Sequence, residues 1–409
     1  MTRGDEYHVF TLPSGLKCVH RAISSDVSYS GIAVNAGSAD DPAGLPGLAH
    51  FVEHTIFKGT ASRNSWQINN MAESVGGELN AYTTKEETII HLSMPGRYTT
   101  RALELLADLV GSAAFPPKEL DMEKEVVEEE INSYLDSPAD SVFDEFEDRL
   151  YAGSGLGHNI LGNCESLGRI TSADCAAFIG NFYVPGNMTL FCSDSMPHSR
   201  FEKTAARLFS SLQAAAAPVR DEIPPMNAEF HVSIDRQSHQ TNAILGGRLS
   251  DRHDPRRFAL FLLNNHLGGP NMNSRLNRLL RDKHGYVYSV DSYLSLLRRC
   301  GHMQIAFGCD SSNTGRCLRL IRNELERLAS SEPSEMLLRR IKRQYTGQLL
   351  VGSDHNESMA VSMGKSLLHY GELHLPGYVE ERIQEVTARQ FRETAEAVAS
   401  AVVSSLELL

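Results

Sequence analysis

Residues 50–54 read His-Phe-Val-Glu-His. On a helix, positions four apart lie about one turn apart on the same face, so His50 and His54 can bring two imidazole nitrogens to one metal ion. At about 100° per residue, Glu53 falls beside them. The rest of the circle holds Leu45, Leu48, Phe51, Val52 and Ile56. Three ionisable groups on the only polar stripe of an otherwise apolar helix call for a metal or a dense hydrogen-bond network. The chemistry open to such a site is hydrolysis. A catalytic zinc ion lowers the pKa of its bound water toward ~7, and a nearby carboxylate that is not a ligand can take the proton.

Catalytic zinc usually keeps three protein ligands and one open position, so a third ligand is needed. The stretch Leu120–Tyr134, LDMEKEVVEEEINSY, offers candidates. At helical spacing Glu125, Glu128 and Glu129 fall on a solvated face. Glu123 and Glu130 fall within the arc of Leu120, Val126, Val127, Ile131 and Tyr134, which predicts two carboxylates on the buried face. Buried carboxylates are costly without a partner, and a metal with its ligands would be one.

These residues must be held by a regular framework. Alternation predicts strands over Tyr7–Arg21, around a Pro13-Ser14-Gly15 turn, and over Val27–Val34. A helix follows at about Leu45–Phe57 and another around Trp66–Ser74. Then come a Gly76-Gly77 turn, strands near Glu78–Thr83 and Thr88–Ser93, and helices from Tyr98 to Leu150 broken at Pro116-Pro117 and Pro138. The Ala- and Pro-rich segment Gln213–Pro225 has linker composition. The same order of elements recurs beyond it, with a helix ending at Gly268-Gly269, another before Gly285, and one at Thr314–Leu328. The expected class is α+β. It has two similar halves, each a mixed, mostly antiparallel sheet packed with helices. Residues 1–215 form an N-terminal metal-binding domain, 216–225 a linker, and 226–409 a C-terminal domain of similar plan without a metal site.

A chain of 409 residues suits two domains. No apolar run is long enough for a transmembrane helix, and the first residues lack a secretory signal, so a cytoplasmic location is expected. Seven cysteines without a CxxC pair suit a reducing compartment and give no thiolate metal site. A formal net charge of -12 argues against nucleic acid as a partner and would attract basic peptides.

The chain resembles the pitrilysin-type inverted zincins, the family of insulin-degrading enzyme and the mitochondrial processing peptidase. That family carries His-x-x-Glu-His and, well downstream, a Glu ligand inside a Glu-x6-Glu pattern. Here Glu130 follows His54 by 76 residues (130 − 54), and Glu123 precedes Glu130 by seven. The likeness extends to TLPSGLK, AGSADDPAGLPGLAHFVEHTIFKGT, GGELNAYTTKEETIIHL, FYVPGNMTL and LGGPNMNSRLNRLLRDKHGYVYSV, so it spans nearly the whole chain. One departure is Gly285-Tyr286-Val287, where Gly-Leu-Ala is more usual.

The resemblance implies that His50, His54 and Glu130 bind one zinc per chain and that Glu53 is the general base. Glu123 would orient a ligand histidine. Asn80 and Ala81 would pair with the backbone of an extended peptide, and Arg281 and Tyr288 would hold a substrate carbonyl and the developing oxyanion. His91, His158 and His284 have no ligand spacing and are expected to be structural or surface residues. The expected activity is that of a zinc metalloendopeptidase acting on unstructured peptides or presequence-like segments. The alternatives are a non-catalytic or partner-dependent subunit of a processing-peptidase-like complex and a zinc hydrolase of small molecules. A chain of this length would need a second half to close the site, so a homodimer with composite active sites is expected.

Overall fold

A computed structural model describes residues 6–220 and 222–409; the first five residues and residue 221 lie outside it. The first sheet has six strands: β1 (Tyr7–Thr11), β2 (Lys17–Ala22), β3 (Val27–Val34), β4 (Glu78–Thr83), β5 (Thr88–Pro95) and β6 (Met188–Asp194). Their order is β1-β2-β6-β3-β5-β4, antiparallel except for the parallel pair β2–β6. The second sheet holds β7 (His231–Ile234), β8 (Thr241–Leu249), β9 (Val287–Leu296), β10 (Gly301–Cys309) and β11 (Ser404–Leu408). Its order is β7-β11-β8-β10-β9, antiparallel except for β7–β11. With β1 set aside, the two orders match strand for strand. β9 therefore occupies in the second sheet the edge that β4 occupies in the first.

On one face of the first sheet lie α1 (Leu48–Thr55), α2 (Ser65–Glu73), α3 (Thr99–Ser112) and α4 (Pro117–Leu135). The core between them is formed by residues such as Leu16, Ile32, Phe51, Val52, Ile90, Leu106, Leu109 and Val127. The apolar periods of α3, with Leu103, Leu106 and Val110 beside Ala102, Leu105 and Leu109, put one broad stripe on this core. Pro117 opens α4, where a missing N–H costs nothing, because a helix's first amides have no intrahelical partner.

The chain divides into two compact units, but not into contiguous halves. One unit holds residues 6–131, His158–Arg220 and Gly352–Leu375; the other holds Asn132–Gly157, 222–351 and Pro376–Leu409. Each sheet's second face is covered by a helix from the far half of the sequence. The helix Asn356–Tyr370 lays Ala360, Met363 and Leu367 on Val19, Ala33, Ile89 and Phe191 of the first sheet. A Cβ at Gly364 would come within 2.3 Å of the Phe191 ring, so only glycine permits this approach. The helix Pro138–Leu150 packs on β8 and β11 of the second sheet, with Phe146 fully buried. Periodicity shows that a helix has an apolar face but not which sheet needs covering. The linear division at 216–225 therefore misses this exchange. The segment 213–230 itself carries no described helix or strand.

Among the described residues no helix is long and apolar enough to cross a membrane. Among the described residues no two cysteines form a disulfide, and all of the seven but Cys164 are buried.

Candidate metal centre

The site is built on α1, which starts later than expected, at Leu48. Its N-terminus is held from a distance. Asp41 accepts hydrogen bonds from the Gly47 and Ala49 amides at 2.7 and 2.8 Å, and its Oδ2 lies 3.1 Å from His158 Nε2. Gly47 enters the helix with φ 91°, and a Cβ there would lie 2.6 Å from the Leu161 carbonyl oxygen. That conformation and that space both require glycine. His158 thus supports the helix as a structural residue. Asp41 sits too far upstream of the helix to form a capping-box signal, so no local pattern points to it.

His50 is buried, while Glu53 and His54 are half-buried on the open side of the same helix. Nε2 of His50 and Nε2 of His54 lie 3.7 and 3.4 Å from one oxygen of Glu130. The three donor atoms fall within 4.8 Å of one another. The other face of the His54 ring system is fixed as well, since Nδ1 lies 3.0 Å from Glu123 Oε1. The second oxygen of Glu123 pairs with Lys58 at 2.5 Å. Lys58 lies three residues beyond the last residue of α1, so no helical spacing pointed to this partner.

The buried stripe of α4 is narrower than the sequence suggests. It comprises Leu120, Glu123, Val127 and Ile131, whereas Val126 is exposed and the Glu130 side chain is 44% exposed. Glu123 is buried as expected. Glu130 stands at the stripe's edge, because its carboxylate reaches sideways to the two histidines rather than into the core.

Electrostatics favour metal-competent protonation at His50. Burial, reinforced by the neighbouring His54, pushes its pKa down to about 3, which leaves the ring neutral. Neutral imidazole is the form that binds metal. At His54 burial acts in the same direction, but the Glu123 hydrogen bond and the Glu53, Glu130 and Glu123 charges outweigh it and raise the pKa. Burial raises the Glu53 carboxyl, offset in part by contacts with Thr83 of β4 and by His54. Two imidazoles and one carboxylate around a common point form a donor set suited to zinc. Among the described residues His50 Nδ1, which is buried, has no hydrogen-bond partner, and Nε2 is the nitrogen that faces Glu130.

Asn80 and Ala81 lie in β4, whose described partner is β5 alone, opposite His91 and Ile90. Ala81 and Leu79 pack toward α1 and α2. Arg281 and Tyr288 belong to the other unit. Arg281 lies in the π-helical turn Asn277–Lys283, its guanidinium 5.7 Å from the ring centre of Tyr288, which is 81% exposed on β9. In the second unit the helix Arg257–Gly268 carries no His pair. Among the described residues one other cluster could hold a metal, the fully buried His20, Cys192 and Asp194. There His20 Nε2 is already bonded to Asp194 Oδ1 at 2.9 Å.

Residues 18–163 match the family model for insulinase, peptidase family M16, and residues 169–345 match that for the peptidase M16 inactive domain. An uncharacterized zinc protease of Streptomyces coelicolor is 30% identical over 393 residues, covering 94% of this chain and 85% of that one. One from Mycobacterium tuberculosis is 30% identical over 390 residues, covering 94% and 89%. In fold, the chain is similar to a protease from Helicobacter pylori, with a TM-score of 0.91 at 20% identity and 99% of each chain covered. It is also similar to a peptidase M16 inactive domain from Pseudomonas fluorescens, with a TM-score of 0.90 at 22% identity, covering 98% and 97%. Sequence likeness over this much of the chain, on a fold that repeats its sheet order in two units, makes the chain a member of peptidase family M16.

Proposed function

We propose that the protein is a zinc metalloendopeptidase that hydrolyses unstructured peptides or presequence-like segments in the cytoplasm. The observation that carries this reading is the convergence of His50, His54 and Glu130 on one point, with Glu53 on the same helix face and beside β4. The zinc-protease names of the relatives agree with it.

His50, His54 and Glu130 would hold one zinc per chain through Nε2, Nε2 and a carboxylate oxygen. When bound, zinc supplies Lewis acidity that makes a water nucleophilic near neutral pH and polarises the scissile carbonyl. Glu53 accepts the proton of the attacking water on its carboxylate and delivers it to the leaving amine. Its raised pKa suits a group that must both take and give a proton. Glu123 fixes the orientation of the His54 ring through Nδ1. The outer edge of β4, at Asn80 and Ala81, takes the peptide as an added strand. Main-chain hydrogen bonds then give affinity with few sequence demands, and folded chains are spared. Arg281 would hold a substrate carbonyl, and the Tyr288 hydroxyl would donate to the oxyanion.

Two substitutions test the roles. Glu53→Gln should keep about one zinc per chain and lose cleavage by a factor on the order of 10²–10⁴ or more. Glu130→Gln should lose the metal itself. Loss of metal from the first variant, with metal and activity kept in the second, would overturn the assignment. The alternative of a non-catalytic subunit predicts no chelator-sensitive cleavage of any peptide by the isolated, zinc-loaded chain.

A further inference from the structure

The strand that would receive the peptide has two faces, and they differ. Leu79 and Ala81 of β4 turn toward α1 and α2, while Tyr82 turns to the opposite face, where the helix Asn356–Tyr370 lies. That helix packs chiefly against β6 and β3, so the far face of β4 and β5 borders a groove. Its volume is about 610 Å³, and its walls include Tyr82, His91, Glu357, Val361, Lys365 and His369. This is within the ordinary range for a ligand pocket, roughly 300–1,000 Å³.

The groove's charges are unequal in availability. Glu87 is buried and held by Lys365 and His369, so these charges are already engaged with one another. Glu357 is different. Its side chain is 46% exposed, and its partners are His91 Nδ1 at 3.2 Å and the Ser93 hydroxyl at 2.9 Å, neither of them a lysine or an arginine. Beside it stands the ring of Tyr82, with His91 in edge contact at 6.4 Å between ring centres. A carboxylate next to an aromatic wall suits a long cationic side chain, whose stem packs on the ring while its head pairs with the acid.

In a sheet, residues paired across two strands send their side chains to the same face, and successive residues alternate. A peptide added to β4 therefore sends every second side chain toward α1 and the others toward this groove. We propose that the groove between β4, β5 and the helix Asn356–Tyr370 is a side-chain subsite for the peptide, and that Glu357 selects lysine or arginine there. This rests on strand addition at β4 and names the substrate class that such addition would favour.

The test is a set of peptides of one sequence in which Arg, Gln or Glu is placed in turn at each position around the cleaved bond. The wild-type chain, Glu357→Gln and Glu357→Lys are compared by kcat/KM, with zinc content measured for each. Wild type should prefer Arg over Glu by about three- to fivefold at positions two apart, and not at those between, as expected of a half-exposed ion pair. Glu357→Gln should flatten the preference, and Glu357→Lys should reverse it. Glu357 also lies in the first turn of its helix, where a carboxylate is favourable, so the lysine variant will lose some stability. A preference ratio taken within each variant is independent of that loss.

If peptides are cleaved and the Arg-to-Glu ratio is the same in all three chains, the subsite is wrong and strand addition stands. Hydrogen exchange of β4 amides in the Glu53→Gln chain, with and without the Arg peptide, separates the other failure. No added protection there would overturn strand addition and the subsite together.

Discussion

Glu123 and Glu130 grip one imidazole from opposite sides: Glu123 Oε1 lies 3.0 Å from His54 Nδ1, and Glu130 Oε2 lies 3.4 Å from His54 Nε2. Seven residues apart on α4, the two carboxylates are about two turns apart and so share a side of the helix. Glu123 is buried and Glu130 is not, which fits the roles proposed for them, an orienting group and an exposed ligand.

Glu123→Gln should therefore leave the ligand set whole but loosen the ring. Zinc affinity should fall about 10–100-fold, the usual cost of losing such a partner. Competition with a chelator measures it, and excess zinc should restore much of the peptide cleavage. Unchanged affinity would show that His54 does not depend on Glu123.

Asp41→Ala should destabilise the metal-bearing unit without touching a ligand. It removes a buried acceptor of the Gly47 and Ala49 amides at the start of α1 and the partner of His158. The expected loss is about 1–3 kcal/mol, or several degrees in Tm. Zinc binding should weaken in parallel, as the start of α1 frays. A melting curve identical to wild type would refute this anchoring role.

Acid should weaken the packing of the helix Asn356–Tyr370 on its sheet. Burial alone would raise the Glu87 carboxyl, but the His369 hydrogen bond and the Lys365 charge outweigh it and hold its pKa at about 2, against 4.5 ordinarily. A depressed carboxyl contributes stability that is fully present above about pH 4.5 and is lost as pH falls toward 2. The contribution is on the order of 3 kcal/mol at most. Stability of the wild type should fall across that window, and Glu87→Gln should be less stable at neutral pH with a shallower fall. Parallel curves for the two chains would rule out Glu87 as the source.

A shared site across a homodimer has a test by mixing. Glu53→Gln and Tyr288→Phe should each be nearly inactive alone. After subunit exchange, half the dimers are mixed and each has one intact pairing, so activity should rise toward about a quarter of wild type. Demonstrated exchange with no recovery would mean that Tyr288 acts within its own chain or not at all.

The sequence alone carried what depends on local spacing. The four-residue step from His50 to His54, the seven-residue step from Glu123 to Glu130, and the strands Val27–Val34 and Glu78–Thr83 are periodic features written within a few turns of chain. The resemblance joins the His50–His54 pair to Glu130, 76 residues beyond His54, a span that no helical period covers. The tertiary structure decided what depends on who faces whom. It set Asp41 beneath α1, closed Lys58 on Glu123, and left Glu130 at the edge of its helix's buried stripe. It also sent the helix Asn356–Tyr370 back to the first sheet and the helix Pro138–Leu150 forward to the second. An amphipathic pattern records that a helix has a face to bury, but the apolar surface it covers is assembled from strands far away in sequence. That choice is made by packing, and no local period contains it.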